Sequence, residues 1–220
     1  MKLQRARQVM DERPEVRKEL KELFERIKQT PATHTVKGMY VGGLVQALQS
    51  EGVKYIPKDR IQSFKDYPLN EYMELLLDAA VTLYPKDTVQ DALHRLGELA
   101  IPTFASSIIG RVIMGTVGRS WELALKCVSR GYEVSLKPGK AIVAELKADT
   151  ALVQLREVWN FGESYQVGVI SGLLHWCNLS GKITAHVISP CDVDLRIQWL
   201  PDRVSRGSKS QTTGARAPGP

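Results

Sequence analysis

The spacing of hydrophobic and polar residues changes once along the 220-residue chain. Between residues 38 and 131, hydrophobic residues recur at intervals of three and four, which predicts amphipathic helices. Gly118 and Gly131 lie where helix-ending glycines are expected. The predicted helices cover about residues 40–50, 69–83, 88–100, 103–117 and 120–130.

After Gly131 the hydrophobic residues alternate with a period of two, which is typical of strands. A helix is predicted from Ser164 to about Cys177, followed by a hairpin around Pro190. The predicted strands are YEVSLK, AIVAELK and ALVQLREV before this helix, and ITAHVIS and DVDLRIQW after it. This order predicts an α+β domain, in which a helical N-terminal half packs on an antiparallel sheet of β-β-β-α-β-β order.

The two ends of the chain differ from its middle. Residues 15–29 form an amphipathic helical pattern, which either docks on its own domain or binds a partner. Residues 201–220 contain one large aliphatic residue and are predicted to be disordered. We therefore expect an amphipathic helical extension over 1–30, a single α+β domain over 31–200 and a basic tail over 201–220.

The basic excess of the chain also lies at its ends. Lys and Arg exceed Asp and Glu by nine to six in residues 1–30 and by four to one in residues 201–220. Residues 31–200 are neutral overall. Because specific nucleic-acid binding uses a basic folded surface, this distribution argues against a specific nucleic-acid partner.

No feature of the sequence predicts a membrane span or secretion. No charge-free apolar run approaches the length of a spanning helix, and the N-terminal residues lack the apolar core of a signal peptide. The three cysteines are widely spaced and odd in number, which favours a reducing compartment. We expect a cytoplasmic protein.

Common catalytic and metal-binding motifs are missing from the sequence. It contains no Gly-x-Ser-x-Gly elbow, Walker loop, His-Glu-x-x-His or Cys-x-x-Cys motif. Its four histidines are not paired with carboxylates at metal-ligand spacing. We therefore predict a protein that is not an enzyme and has neither a metal nor a cofactor.

One candidate binding surface lies on the helix predicted after Ser164. His175 shares a helical stripe with Gly168, Ser171 and Gly172. Small residues at this spacing let either a second backbone or a ligand approach closely. His175 is accordingly either a packed, hydrogen-bonded residue or a ligand contact.

Two isolated charges interrupt apolar helical segments. Asp78 lies within MELLLDAAVTLY, and Arg111 lies within TFASSIIGRVIMGTVG, which we expect to form a central, closely packed helix. A buried charge needs a partner. Either Asp78 and Arg111 form a structural ion pair, or Arg111 binds an anionic group of a ligand, with Ser107 as a further ligand contact.

Four stretches of the chain resemble a known family: VKGMYVGGLVQAL, LYPKDTVQDALHRLGELAIPTFASSIIGRVIMG, YQVGVISGLLHWC and SPCDVDLRIQW. The resemblance covers about residues 33–200, and the family is a paralogous group of uncharacterised proteins expanded in myxobacteria. More distantly, the order of elements is similar to that of a superfamily containing haem–nitric oxide binding domains, vinyl-reductase-type small-ligand domains and the small subunits of TRAPP tethering complexes.

The superfamily resemblance implies two classes of function. Its haem sensors hold the haem propionates with a Tyr-x-Ser-x-Arg motif, which this sequence lacks, and ligate iron with a helix histidine. His94 is the only candidate ligand in the first half, and its helix face is polar, so we expect it to be solvated. The other branches bind small apolar ligands or act as scaffolds.

We therefore predict a non-enzymatic protein-interaction or small-ligand-binding regulatory module. A haem-based or other small-molecule sensor domain is the alternative. We expect a protein partner or self-association, and a small apolar or anionic ligand is the ligand class that the sequence allows.

Overall fold

The computed structural model describes residues 5–55, 57 and 59–201, which form nine helices and seven strands. The helices are α1 (Arg5–Glu12), α2 (Pro14–Gln29), α3 (Gly38–Ser50), α4 (Leu69–Leu83), α5 (Val89–Glu98), α6 (Ala100–Ser106), α7 (Ile108–Val117), α8 (Trp121–Ser135) and α9 (Tyr165–Trp176). The strands are β1 (Thr35–Lys37), β2 (Asp66–Pro68), β3 (Leu136–Lys137), β4 (Lys140–Leu146), β5 (Thr150–Arg156), β6 (Leu179–Ser189) and β7 (Asp192–Pro201).

The larger sheet has four antiparallel strands in the order β4-β5-β7-β6. Every second residue of β5 is buried, and Val153 of β5 lies opposite Leu195 of β7 in the strand register. Helices α8 and α9 pack on this sheet, and Trp121 at the start of α8 meets Trp199 of β7 edge to face. The predicted α+β class and the closing hairpin are confirmed.

The first predicted strand is mostly helix in the structure. Residues 132–135 of YEVSLK continue α8, and only Leu136–Lys137 form a strand, which joins the separate small sheet β2-β1-β3. Gly131 lies inside α8 and does not end it. Burial of Val128, Tyr132 and Ser135 on one side of α8 explains the difference, because tertiary packing overrides the strand propensity of this short segment.

The predicted central helix over 103–117 is two helices. The chain breaks at Ser107, and α7 lies at 97° to the preceding α5–α6 segment. Helix α7 is a surface helix, with 60% of Ile108 and 69% of Val112 exposed. Within the described residues, no single helix has the length and apolarity needed to cross a membrane, although the bent pair 89–106 and 108–117 meets these criteria jointly.

The predicted N-terminal helix docks on its own domain. Helix α2 packs against α4 and α5, and α1, which the sequence pattern did not predict, packs against α4. The apolar face of α2 is buried and comprises Val16, Leu20, Leu23 and Ile27. Apart from Pro201, the predicted disordered tail lies outside the described residues.

Candidate ligand cavity

A cavity of about 90 Å³ lies among α3, α4, α6, α7, α8 and α9. Most of its wall is aliphatic or aromatic side chain, with α7 on one side and α9 on another. Such a mainly apolar, partly polar cavity is the usual form of a small-molecule site. The apolar residues of the wall include Ile101, Phe104, Ile113, Met114, Val117, Val128, Val169, Ile170 and Leu173.

Hydroxyl groups from distant parts of the chain meet in the wall of this cavity. The hydroxyls of Tyr72 in α4 and Tyr165 in α9 are 2.9 Å apart, and those of Tyr40 in α3 and Ser135 in α8 are 2.8 Å apart. Both distances are normal for hydrogen bonds between hydroxyls. These two hydroxyl pairs join four helices at the cavity.

A third hydrogen-bonded chain lies beside the two hydroxyl pairs. The Tyr132 hydroxyl donates to the side-chain oxygen of Gln166, and the Gln166 amide donates to the side-chain oxygen of Asn160 at 2.7 Å. All three residues line the cavity, and each is less than a tenth exposed. Buried polar groups are stable when hydrogen-bonded in this way, so the network fixes the geometry of the cavity.

The tyrosine hydroxyls of the cavity are neutral donors. Burial raises the pKa of Tyr165 to about 12, and burial raises the pKa values of Tyr40, Tyr72 and Tyr132 above their usual range. At Tyr40, the hydrogen bond with Ser135 lowers the pKa and offsets part of the effect of burial. No Lys, Arg, His, Asp or Glu is among the lining residues that the structure describes.

Sequence patterns missed this network for a local reason. Read as a strand, YEVSLK places Tyr132 and Ser135 on opposite faces, whereas the helix places them on one face. Gln166 was the available signal, since it is a polar residue in a mostly apolar helix. In the structure it is only 2% exposed.

The predicted ion pair between Asp78 and Arg111 is wrong. Asp78 is buried, and its carboxylate accepts a 2.8 Å hydrogen bond from the backbone N–H of Ala6. Arg111 is exposed and does not line the cavity. The apolar residues around Arg111 reach solvent because α7 is a surface helix, so its guanidinium needs no buried partner.

The other predicted ligand contacts lie outside the cavity. Ser107 caps α7 by accepting from the backbone N–H of Gly110. Gly168 and Gly172 face the backbone of α5, where an added Cβ would lie 1.9 Å from the His94 carbonyl oxygen and 2.8 Å from the Glu98 carbonyl oxygen, respectively. Of the two alternatives for this glycine stripe, the structure therefore shows a close approach of a second backbone.

The histidines and cysteines of the chain form no reactive cluster where the structure describes them. His175 is exposed, with Nδ1 3.5 Å from the Glu98 carboxylate. His94 is half-buried, contrary to expectation, and its Nε2 lies 3.1 Å from the Ser171 hydroxyl. Burial raises the pKa of the Cys177 thiol to about 11, and the described residues contain no group of three metal-ligating side chains.

A family model described as "Protein of unknown function (DUF2378)" matches residues 29–200. The chain belongs to this family. The matched range agrees with residues 33–200, over which the sequence resembles an uncharacterised family. Among curated proteins, none matches the DUF2378 chain.

The DUF2378 fold is similar to that of solved H-NOX proteins. An H-NOX protein from S. oneidensis in the Fe(II)NO state has 15% identity and a TM-score of 0.59 over 74% of this chain and 99% of its own. An unliganded Fe(II) H-NOX protein from K. algicida has 13% identity and a TM-score of 0.51 over 76% and 98%. An oxygen-binding H-NOX domain related to soluble guanylate cyclases has 14% identity and a TM-score of 0.55 over 74% and 94%. At these identities the likeness concerns the fold.

The cavity residues do not fit haem. No histidine lines the cavity within the described chain, and the high pKa values of its tyrosines oppose the tyrosinate form that binds iron. No cation lines it to pair with haem propionates. A cavity of about 150 Å³ holds benzene, and this cavity, at about 90 Å³, is smaller than that.

Proposed function

We propose that the protein is a non-enzymatic, cytoplasmic regulatory module that binds a small, mostly apolar molecule in the cavity among α3, α4, α6, α7, α8 and α9. One observation carries the proposal: an apolar cavity has a hydrogen-bonded group of neutral hydroxyls and amides in its wall. An apolar wall supplies affinity, and a few fixed polar groups supply orientation.

The volume of the cavity limits the size of its ligand. Because a cavity of about 150 Å³ accommodates benzene, the 90 Å³ cavity suits a compound smaller than benzene. Helix α7 connects the cavity to the protein surface, because Met114 and Val117 line the cavity while Ile108 and Val112 are exposed. It is therefore the element through which a ligand would act on a partner. Occupancy should therefore stabilise α7 and slow hydrogen exchange of its amides.

Gly131 offers a direct way to close the cavity. It lies within α8 and lines the cavity, and a Cβ added there would meet no atom within 4 Å. Leu at this position would therefore fill the cavity without a backbone clash and would favour the helix. Gly115 in α7 is the matched control, since it also has open space around its Cβ position but is exposed and outside the cavity.

The test is native mass spectrometry of protein purified from its own host. We expect the unmodified protein and the Gly115→Leu variant to carry the same small adduct, and the Gly131→Leu variant to lack it. An adduct retained in Gly131→Leu, or no adduct on the unmodified protein, would refute the proposed function.

A further inference from the structure

The hydroxyl pairs of the cavity contain O–H protons that no described acceptor uses. What we infer from them about the ligand rests on the proposed function. The pairs Tyr40–Ser135 and Tyr72–Tyr165 each contain two O–H protons, and one hydrogen bond within a pair uses only one of them. Among the described residues, no second hydrogen bond involves these four hydroxyls. Each pair therefore retains one O–H proton that it can donate.

The neighbouring amides do not remove this surplus of donors. The side-chain oxygen of Gln166 accepts from Tyr132, and that of Asn160 accepts from Gln166. Among the described residues, neither amide oxygen accepts from the two hydroxyl pairs, and each amide nitrogen offers two further protons. A molecule that completes the network must bring an acceptor.

The lack of charged side chains in the described lining determines which acceptor group the ligand can carry. An unpaired carboxylate is costly to bury, and the described lining has no cation to pair with it. An ammonium group would equally lack an anion there. A carbonyl oxygen, by contrast, is uncharged and has two lone pairs for two donors.

We propose that the cavity selects an uncharged, mostly apolar carbonyl compound whose oxygen accepts hydrogen bonds from the free hydroxyl protons of the pairs Tyr40–Ser135 and Tyr72–Tyr165. The hydrocarbon part of the compound packs against the aliphatic wall formed by α6, α7 and α9. Binding moves no proton and breaks no covalent bond.

Three probes of equal size and different chemistry test this selectivity. Butan-2-one, 2-methylbut-1-ene and propanoate have the same number of non-hydrogen atoms, and they present a carbonyl, an apolar double bond and a carboxylate. In NMR titrations of the full chain at neutral pH, we expect butan-2-one to bind about tenfold more tightly than the alkene, which corresponds to one or two hydrogen bonds. Propanoate should bind more weakly than either.

Double substitutions test whether the four hydroxyl groups cause the preference for the ketone. Removing one hydroxyl of a pair leaves the other free to donate, so both must be replaced. The variants Tyr72→Phe/Tyr165→Phe and Tyr40→Phe/Ser135→Ala remove one internal hydrogen bond each, and removal of both partners is close to neutral for stability. Each variant should lower the affinity for butan-2-one several-fold and leave the affinity for the alkene unchanged.

The outcomes separate this inference from the proposed function. If the alkene binds as tightly as the ketone, if propanoate binds best, or if both double variants keep the ketone preference, the cavity binds ligands but the carbonyl assignment is wrong. If neither the ketone nor the alkene binds, and Gly131→Leu behaves as the unmodified protein does, both the inference and the proposed function fail.

Discussion

The carboxylate of Asp78 in α4 caps the first turn of α1 by accepting a 2.8 Å hydrogen bond from the backbone N–H of Ala6. Backbone N–H groups in the first turn of a helix have no partner within the helix, so a carboxylate from another element stabilises that end. Ala6 is fully buried, and water cannot replace the carboxylate. Asp78 thus joins the N-terminal helix to the domain.

Two substitutions of Asp78 distinguish the effect of its hydrogen bond on stability from the effect of its charge. Asp78→Ala leaves the Ala6 N–H buried without an acceptor, and we expect a loss of roughly 1–3 kcal/mol in the free energy of unfolding. Asp78→Asn keeps an acceptor oxygen and should retain most of the stability. Urea denaturation of the two variants would measure both values, and equal stabilities would contradict the capping role.

The same residue predicts a pH dependence with a defined sign. Burial raises the pKa of Asp78 to about 6, so the folded state binds a proton more tightly than the unfolded state. The contribution of Asp78 to stability should therefore rise as pH falls from about 6 to about 4, by at most roughly 3 kcal/mol. Asp78→Asn should remove this rise in urea unfolding experiments across that range, and a rise that persists in the variant would come from another group.

His34 predicts the opposite pH dependence. It is 6% exposed, meets Trp159 edge to face, and neither ring nitrogen has a hydrogen-bond partner among the described residues. Burial lowers its pKa, and the negative charge of Glu157 partly opposes this effect. The unfolded state therefore binds a proton more tightly at His34, and the contribution of His34 to stability should fall as pH drops below about 6.5.

His34→Phe should consequently be stabilising. Phe keeps the edge-to-face ring contact with Trp159 and removes two unpaired polar atoms, so we expect a gain of roughly 1–3 kcal/mol that grows below about pH 6.5. His94→Phe is the matched control, because His94 lies within hydrogen-bonding distance of Ser171 and should not show this gain. Thermal and urea unfolding measure the difference, and a destabilised His34→Phe variant would show that the ring nitrogens have partners in solution.

Local sequence patterns were sufficient where burial follows a simple period. The four apolar residues of α2 and the alternation in β5 both identified the buried face correctly. The pattern failed at residues 132–135, where alternation suggested a strand but α8 continues. It also failed to find β1 and β2, because three-residue strands are too short to show a period.

The cavity could not be predicted because its polar network is assembled from distant segments. Tyr72 and Tyr165 are 93 positions apart, and Tyr40 and Ser135 are 95 apart. No sequence pattern near these four residues indicates that either pair forms. The prediction for Arg111 is wrong because an apolar helix need not be buried, and α7 exposes Ile108 and Val112.

The contact between α5 and α9 predicts a strong difference between two glycines. A Cβ at Gly168 would lie 1.9 Å from the His94 carbonyl oxygen, so Gly168→Ala forces the two helices apart. We expect a loss of about 2–3 kcal/mol in the free energy of unfolding. Gly115→Ala meets no atom within 4 Å and should gain up to about 1 kcal/mol from helix propensity. Equal effects of the two substitutions in thermal unfolding would contradict the close helix contact.

The likeness to H-NOX folds makes haem binding a direct test of the cavity chemistry. The cavity is about 90 Å³, and its described lining has neither a histidine nor a cation. We therefore expect protein mixed with haemin to show no stoichiometric Soret band in an optical titration. His94→Ala and His175→Ala are the matched variants, since these are the histidines of α5 and α9. A saturable Soret band that disappears in either variant would establish a haem sensor and overturn the proposal of an uncharged carbonyl ligand, because a porphyrin would then occupy the space assigned to that ligand.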